Sequence, residues 1–112
     1  MSEPEEPREK LQPHYDLNLV RRAFRDDEFH LPQRVQRHLI DQGWTRQTCM
    51  RIGAQLEPQY FHKSQAHWTR EGVWLDIYRP VVEGVRWYVK VVVREDGVGF
   101  VVLSFCLDGA RH

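Results

Sequence analysis

The stretch 73–107, VWLDIYRPVVEGVRWYVKVVVREDGVGFVVLSFCL, decides the fold. Three runs rich in Val, Trp, Tyr and Phe, at 73–82, 85–94 and 99–107, are separated by Glu83-Gly84 and Glu95-Asp96-Gly97, which carry turn chemistry. A fourth run, YFHKSQAHW at 60–68, precedes them across Glu71-Gly72. Connections this short join antiparallel neighbours, so the C-terminal half reads as a β-meander. A two-residue Glu83-Gly84 loop pairs Val82 with Val85 and sets Arg79 opposite Tyr88, Ile77 opposite Lys90 and Leu75 opposite Val92. Directly opposite residues share a face. One side therefore shows Leu75, Ile77, Arg79, Arg86, Tyr88 and Lys90. The reverse shows Trp74, Tyr78, Pro80, Trp87, Val89, Val91 and Val93, a core face with Asp76 as its one charged member.

The last strand admits two registers, and a slip of one residue would invert it. A two-residue Asp96-Gly97 loop puts Phe105 opposite Tyr88, whereas a three-residue loop with Gly97 left-handed puts Ser104 there. We take the second, which sends Val101, Leu103 and Phe105 to the apolar side and Ser104 and Cys106 to the basic side.

Upstream the periodicity is helical. Asp16 is an N-cap for a helix over about 17–26, with Leu17, Val20 and Phe24 on one stripe. Pro32 opens a second helix over 32–42 that Gly43 ends, and Thr45 caps a third running to about Gln55. Two helices joined by a Gly-containing turn invite a helix-turn-helix reading, but nothing downstream resembles the rest of a repressor, so packing helices are expected. Helices followed by a meander make an α+β domain over residues 14–112. Residues 1–13, rich in Glu and Pro, read as a disordered lead.

Composition narrows the function classes. With four Trp, five Phe and four Tyr in 112 residues, the chain has enough buriable surface for one core. No apolar stretch approaches the ~20 residues of a membrane span, and no secretory signal opens the chain. Cys49 and Cys106 form neither a disulfide framework nor a zinc pattern, which suits reduced thiols in a cytoplasm. The zero net charge conceals a segregation: residues 34–94 hold ten bases against five acids. Thirteen of the sixteen bases are Arg, whose planar fork suits phosphate oxygens. A solvated sheet face also carries Arg, Lys and Tyr. Against that reading, Arg79, Arg86 and Lys90 crowded around Tyr88 repel one another unless an anion such as a phosphodiester arrives. Tyr88 could also exchange a proton with a ribose hydroxyl. His62 and His67 precede the meander and are candidates for RNA contacts, although their opposite parity separates them unless the strand bulges. Lone histidines near aromatics are more often structural, and no metal-ligand set is completed.

YFHKS (60–64), VWLDIYRP (73–80), WYVKVVV (87–93) and VVLSF (101–105) together resemble the motility quorum-sensing regulator (MqsR) family of toxins, over about residues 14–107. The resemblance implies a RelE-like microbial ribonuclease fold, N-terminal helices packed on a C-terminal antiparallel meander. It also implies a type II toxin that cleaves mRNA without a metal or other cofactor and is neutralised by a cognate antitoxin, reaching DNA only through it. By the same resemblance Lys63 matches the family's phosphate-binding or charge-stabilising lysine and Tyr88 its functional tyrosine. Lys63, Tyr88 and Arg79 are thus the candidate catalytic residues, and Arg86, Lys90, His62 and His67 the candidate RNA-binding ones. Leu75 stands where the family often has Gln, and Cys106 where it has Lys. Those departures leave open a catalytically weak, toxin-derived RNA- or protein-binding module.

Overall fold

Glu83 and Gly84 both take positive φ, 54° and 76°, in the computed structural model, which describes residues 8–95, 97 and 99–109. That is the geometry of a two-residue hairpin whose twist matches its strands. The chain order is β1 (Glu9–Lys10), α1 (Leu17–Arg25), β2 (Phe29–His30), α2 (Gln33–Gln42), α3 (Arg46–Gly53), a 3-10 turn (Pro58–Tyr60), β3 (Phe61–Ala66), β4 (Trp74–Tyr78), β5 (Val81–Val82), β6 (Val85–Val93) and β7 (Phe100–Leu107). Val82 pairs with Val85 and Ile77 with Lys90, as the loop length required. Pro80, which has no N–H to give a ladder, separates β4 from β5.

Neither register expected for the last strand holds throughout. Arg94 N donates to Gly99 O at 3.0 Å, closing a longer connection in which Gly97 is left-handed. Asp96, the centre of the expected loop, lies outside the described residues. Near the turn Val92 pairs with Val101 and Val91 with Val102; farther on Lys90 pairs with Ser104 and Tyr88 with Cys106. Leu103 is therefore an extra residue, a β-bulge that reverses the parity between the two halves of β7. Val101 lies on the basic side and Val102, fully buried, in the core, opposite to the expectation for Val101. Phe105, Ser104 and Cys106 lie on the sides expected.

The sheet runs β1-β3-β4-β6-β7-β2, with β5 also on β6. Two short strands extend the meander. Glu9 and Lys10 pair with Gln65 and Ser64, so pairing begins inside the lead expected over 1–13; residues 1–7 of that lead lie outside the described residues. Phe29 and His30 pair with β7 in parallel, which makes the sheet mixed rather than purely antiparallel. The class is α+β, consistent with a RelE-like fold.

The helices form where expected. Asp16 Oδ1 accepts from Asn18 N at 2.8 Å, and Thr48 Oγ1 accepts from Thr45 N at 3.1 Å. Their apolar stripes (Val20, Phe24, Val35, Leu39, Cys49, Ile52) pack on the Tyr78, Trp87, Val89, Val91, Val102 and Phe105 side of the sheet. Each such aliphatic or aromatic side chain contributes roughly 1.5–3 kcal/mol by leaving water. Gly53 lets α3 approach α1: a Cβ there would stand 2.1 Å from the Phe24 ring. Asp76, the charged member of this face, is wholly buried, and its carboxylate accepts from His14 N at 3.0 Å and Tyr15 N at 2.9 Å. It clamps the segment leading into α1 onto the sheet, and Tyr15 Oη adds a 2.6 Å bond to Trp74 O. Among the described residues no helix is long and apolar enough to cross a membrane.

Candidate active site

The other face of the sheet is arranged by register into rows. Lys63, Ile77, Lys90 and Ser104 lie side by side across β3, β4, β6 and β7. One row over, Tyr88 pairs with Cys106, and the same register brings Arg79 alongside. Adjacent strands lie about 4.8 Å apart and rows along a strand about 7 Å apart, so these side chains share a patch one or two nucleotides wide. Asp108 N donates to Arg86 O at 3.0 Å, which extends the β6–β7 register to a third row.

Lys63 reaches this patch through a bulge. Phe61 pairs with Tyr78 and Lys63 with Ile77, leaving His62 with no residue opposite. Phe61 therefore packs edge-on against Tyr78, ring centroids 5.5 Å apart, on the helix side, while Lys63 emerges on the other. In an unbroken strand both residues would share one face.

Tyr88 is held in a small buried cluster with Ile77 and Cys106, to which no helical residue belongs. Leu75 is 1% exposed and Cys106 6%, so both positions that differ from the family pattern are buried apolar side chains, Cys106 within the floor under Tyr88. Lys90 Nζ stands 5.9 Å from the Tyr88 ring centroid. The chain itself supplies counter-charge to the cations. Arg79 Nε and Nη2 both reach Asp108 Oδ2, at 2.8 and 2.6 Å, and the Asp108 side chain is only 6% exposed. That bond orients the guanidinium and leaves the rest of its five N–H donors for other acceptors. Lys63 Nζ pairs with the Glu9 carboxylate of β1; both ends of this pair are partly exposed, so it contributes little and is readily exchanged for another anion. The crowding of unpaired cations expected from the sequence is thus relieved at Arg79 and Lys63.

A groove of about 320 Å³ opens beside this patch, lined by Tyr60, Phe61, His62, Arg79, Val81 and Arg86. The bulge that parity required for His62 and His67 to face one site is present, but it places only His62 beside the two arginines. His67 is not part of this group. It follows the end of β3, where its Nδ1 accepts from Thr69 N at 3.1 Å and Arg70 N at 3.0 Å. Burial, with Arg70 nearby, holds its imidazole below the ordinary range, which suits a ring that accepts from two backbone amides.

Two partners in the site escaped sequence reasoning. Asp108 had a usable signal, since it continues the parity of Ser104 and Cys106; Glu9 had none, lying in a segment read as lead. Among the described residues no group of three or more His, Cys, Asp and Glu side chains is placed to hold a metal ion. Residues 12–106 match the family model described as motility quorum-sensing regulator, toxin of MqsA. Comparison with curated proteins gave no match.

Proposed function

The chain belongs to the motility quorum-sensing regulator family, toxins of MqsA, and from that premise we propose that it is an endoribonuclease acting on mRNA without a metal ion. The observation that carries this reading is the sheet face opposite the helix-packed core, on which Lys63, Arg79, Tyr88, Arg86 and Lys90 occupy adjacent rows. In the proposed reaction a ribose 2′-hydroxyl gives up its proton and attacks the adjacent phosphorus. The P–O5′ bond breaks, the departing O5′ takes a proton, and the products carry a 2′,3′-cyclic phosphate and a 5′-hydroxyl. Tyr88 carries protons, fixed against Ile77 and Cys106. Lys63 and Arg79 stabilise the charge that accumulates on the phosphorane, with Arg79 pre-oriented by Asp108. Arg86, Lys90 and His62 bind flanking phosphates or bases through the adjoining groove. The enzyme works in the cytoplasm and a cognate antitoxin neutralises it.

Incubating the folded protein with total RNA in EDTA tests this directly. New ends bearing 2′,3′-cyclic phosphates are expected, and RNA left intact would refute it. A second reading is favoured by Leu75 and Cys106, which can neither hydrogen-bond a base through an amide nor supply a fixed positive charge. On that reading the protein binds RNA in a salt-sensitive manner without cutting it.

A further inference from the structure

Trp68 is the exposed one of the chain's four tryptophans, at 67%. Its indole is backed by the His67 ring, centroids 4.0 Å apart and planes 17° from parallel. The His67 ring is in turn fixed by the two backbone amides bonded to its Nδ1, and its backbone N–H donates to Val73 O at 2.8 Å. The exposed ring is therefore held rigid, with one face covered and the other turned to solvent. A groove of about 250 Å³ adjoins it, lined by Arg8, His67, Trp68, Arg70, Glu71 and Trp74 among others. The backbone of Arg8 is tied to the end of β3, its carbonyl accepting from Ala66 N at 2.8 Å. Beyond it, Lys10 Nζ sits 4.3 Å from the Trp74 ring centroid.

A preorganised aromatic face bordered by arginines matches a flat base attached to a phosphate. An apolar protein surface would instead call for an apolar rim, which the arginines do not provide. We infer that Trp68 is a stacking platform for an unpaired base of a bound RNA strand, with Arg8 and Arg70 on its phosphates. The inference rests on the nuclease reading only for its direction: β3 leads from Lys63 to Trp68, five residues or roughly 16 Å of extended chain, so a single strand gripped at Tyr88 continues toward the platform. In this role His67 contacts RNA indirectly, by supporting the ring that stacks.

The test uses a short mixed-sequence 2′-O-methyl oligoribonucleotide, which can bind but offers no 2′-hydroxyl to react. Trp68→Ala is expected to weaken its binding about tenfold, and Trp68→Phe to restore most of the loss, with melting temperatures unchanged because the ring is exposed. Equal affinity in wild type and Trp68→Ala overturns the platform; so does a Trp68→Ala protein that binds the probe normally but escapes its antitoxin, which would assign the ring to a protein partner. Cleavage of natural RNA is scored separately. Wild-type cleavage with Trp68-independent binding sinks the platform alone. Trp68-dependent binding without any cleavage sinks the nuclease reading and leaves the platform standing.

Discussion

The two faces of the sheet are built from alternate residues of the same strands, yet they do opposite work. The covered face is continuous: Tyr78, Trp87, Val89, Val91, Val102 and Phe105 meet three helices in one cluster. The open face has a small apolar floor of Ile77, Tyr88 and Cys106, rimmed by cations and their carboxylates. Alternation in a strand lets stability reside on one side and chemistry on the other. Substitutions should therefore divide cleanly, those on one face moving the unfolding curve and those on the other moving the rate.

The largest effect belongs to the open face. Tyr88→Phe is expected to slow RNA cleavage about 10²- to 10⁴-fold, the span of a lost proton carrier, with the unfolding midpoint in urea little changed. A full-rate variant would remove Tyr88 from proton transfer. On the covered face Asp76→Ala should cost about 3 kcal/mol in urea unfolding, because His14 N and Tyr15 N would lose a buried acceptor. Gly53→Ala should cost about 2 kcal/mol, since its methyl group would meet the Phe24 ring. Neither should alter the rate for the fraction that remains folded.

The smallest effect sharpens the comparison through pH. Tyr78 Oη is buried without a hydrogen-bond partner among the described residues, and burial, with Asp76 adding to it, raises its ionisation above the ordinary 10.0. A raised folded value means that this contribution to stability is intact below about pH 10 and is lost as pH climbs beyond it. Tyr78→Phe should match or exceed wild type by up to about 1 kcal/mol at neutral pH and lack this alkaline loss, as urea unfolding at a series of pH values would show.

Much of this division was legible before any coordinates. A two-residue loop at Glu83-Gly84 and a period of two placed Arg79, Arg86, Tyr88 and Lys90 on one side, and the helices' apolar stripes identified what covers the other. The sequence was silent where structure is not periodic. β1 and β2 are two residues each, too short for alternation to register. The Leu103 bulge has no local signature, because Val101, Val102 and Leu103 are equally suited to either face. Of the carboxylates opposing the cations, Asp108 was within reach of the parity of β7, whereas Glu9 lies in a distant segment without periodicity, so only the folded arrangement reveals that Lys63 is balanced.

The bulge in β3 has a consequence for how such a protein can be altered. Because the register passes from Phe61–Tyr78 directly to Lys63–Ile77, deleting His62 would close the strand and leave Phe61 and Lys63 with the cross-strand neighbours they already have. The position thus lies at the mouth of the groove, where a residue can be exchanged or dropped without moving Lys63 off its row. On the proposed nuclease function, libraries confined to that position would change which RNAs are cut while the scaffold stays as it is.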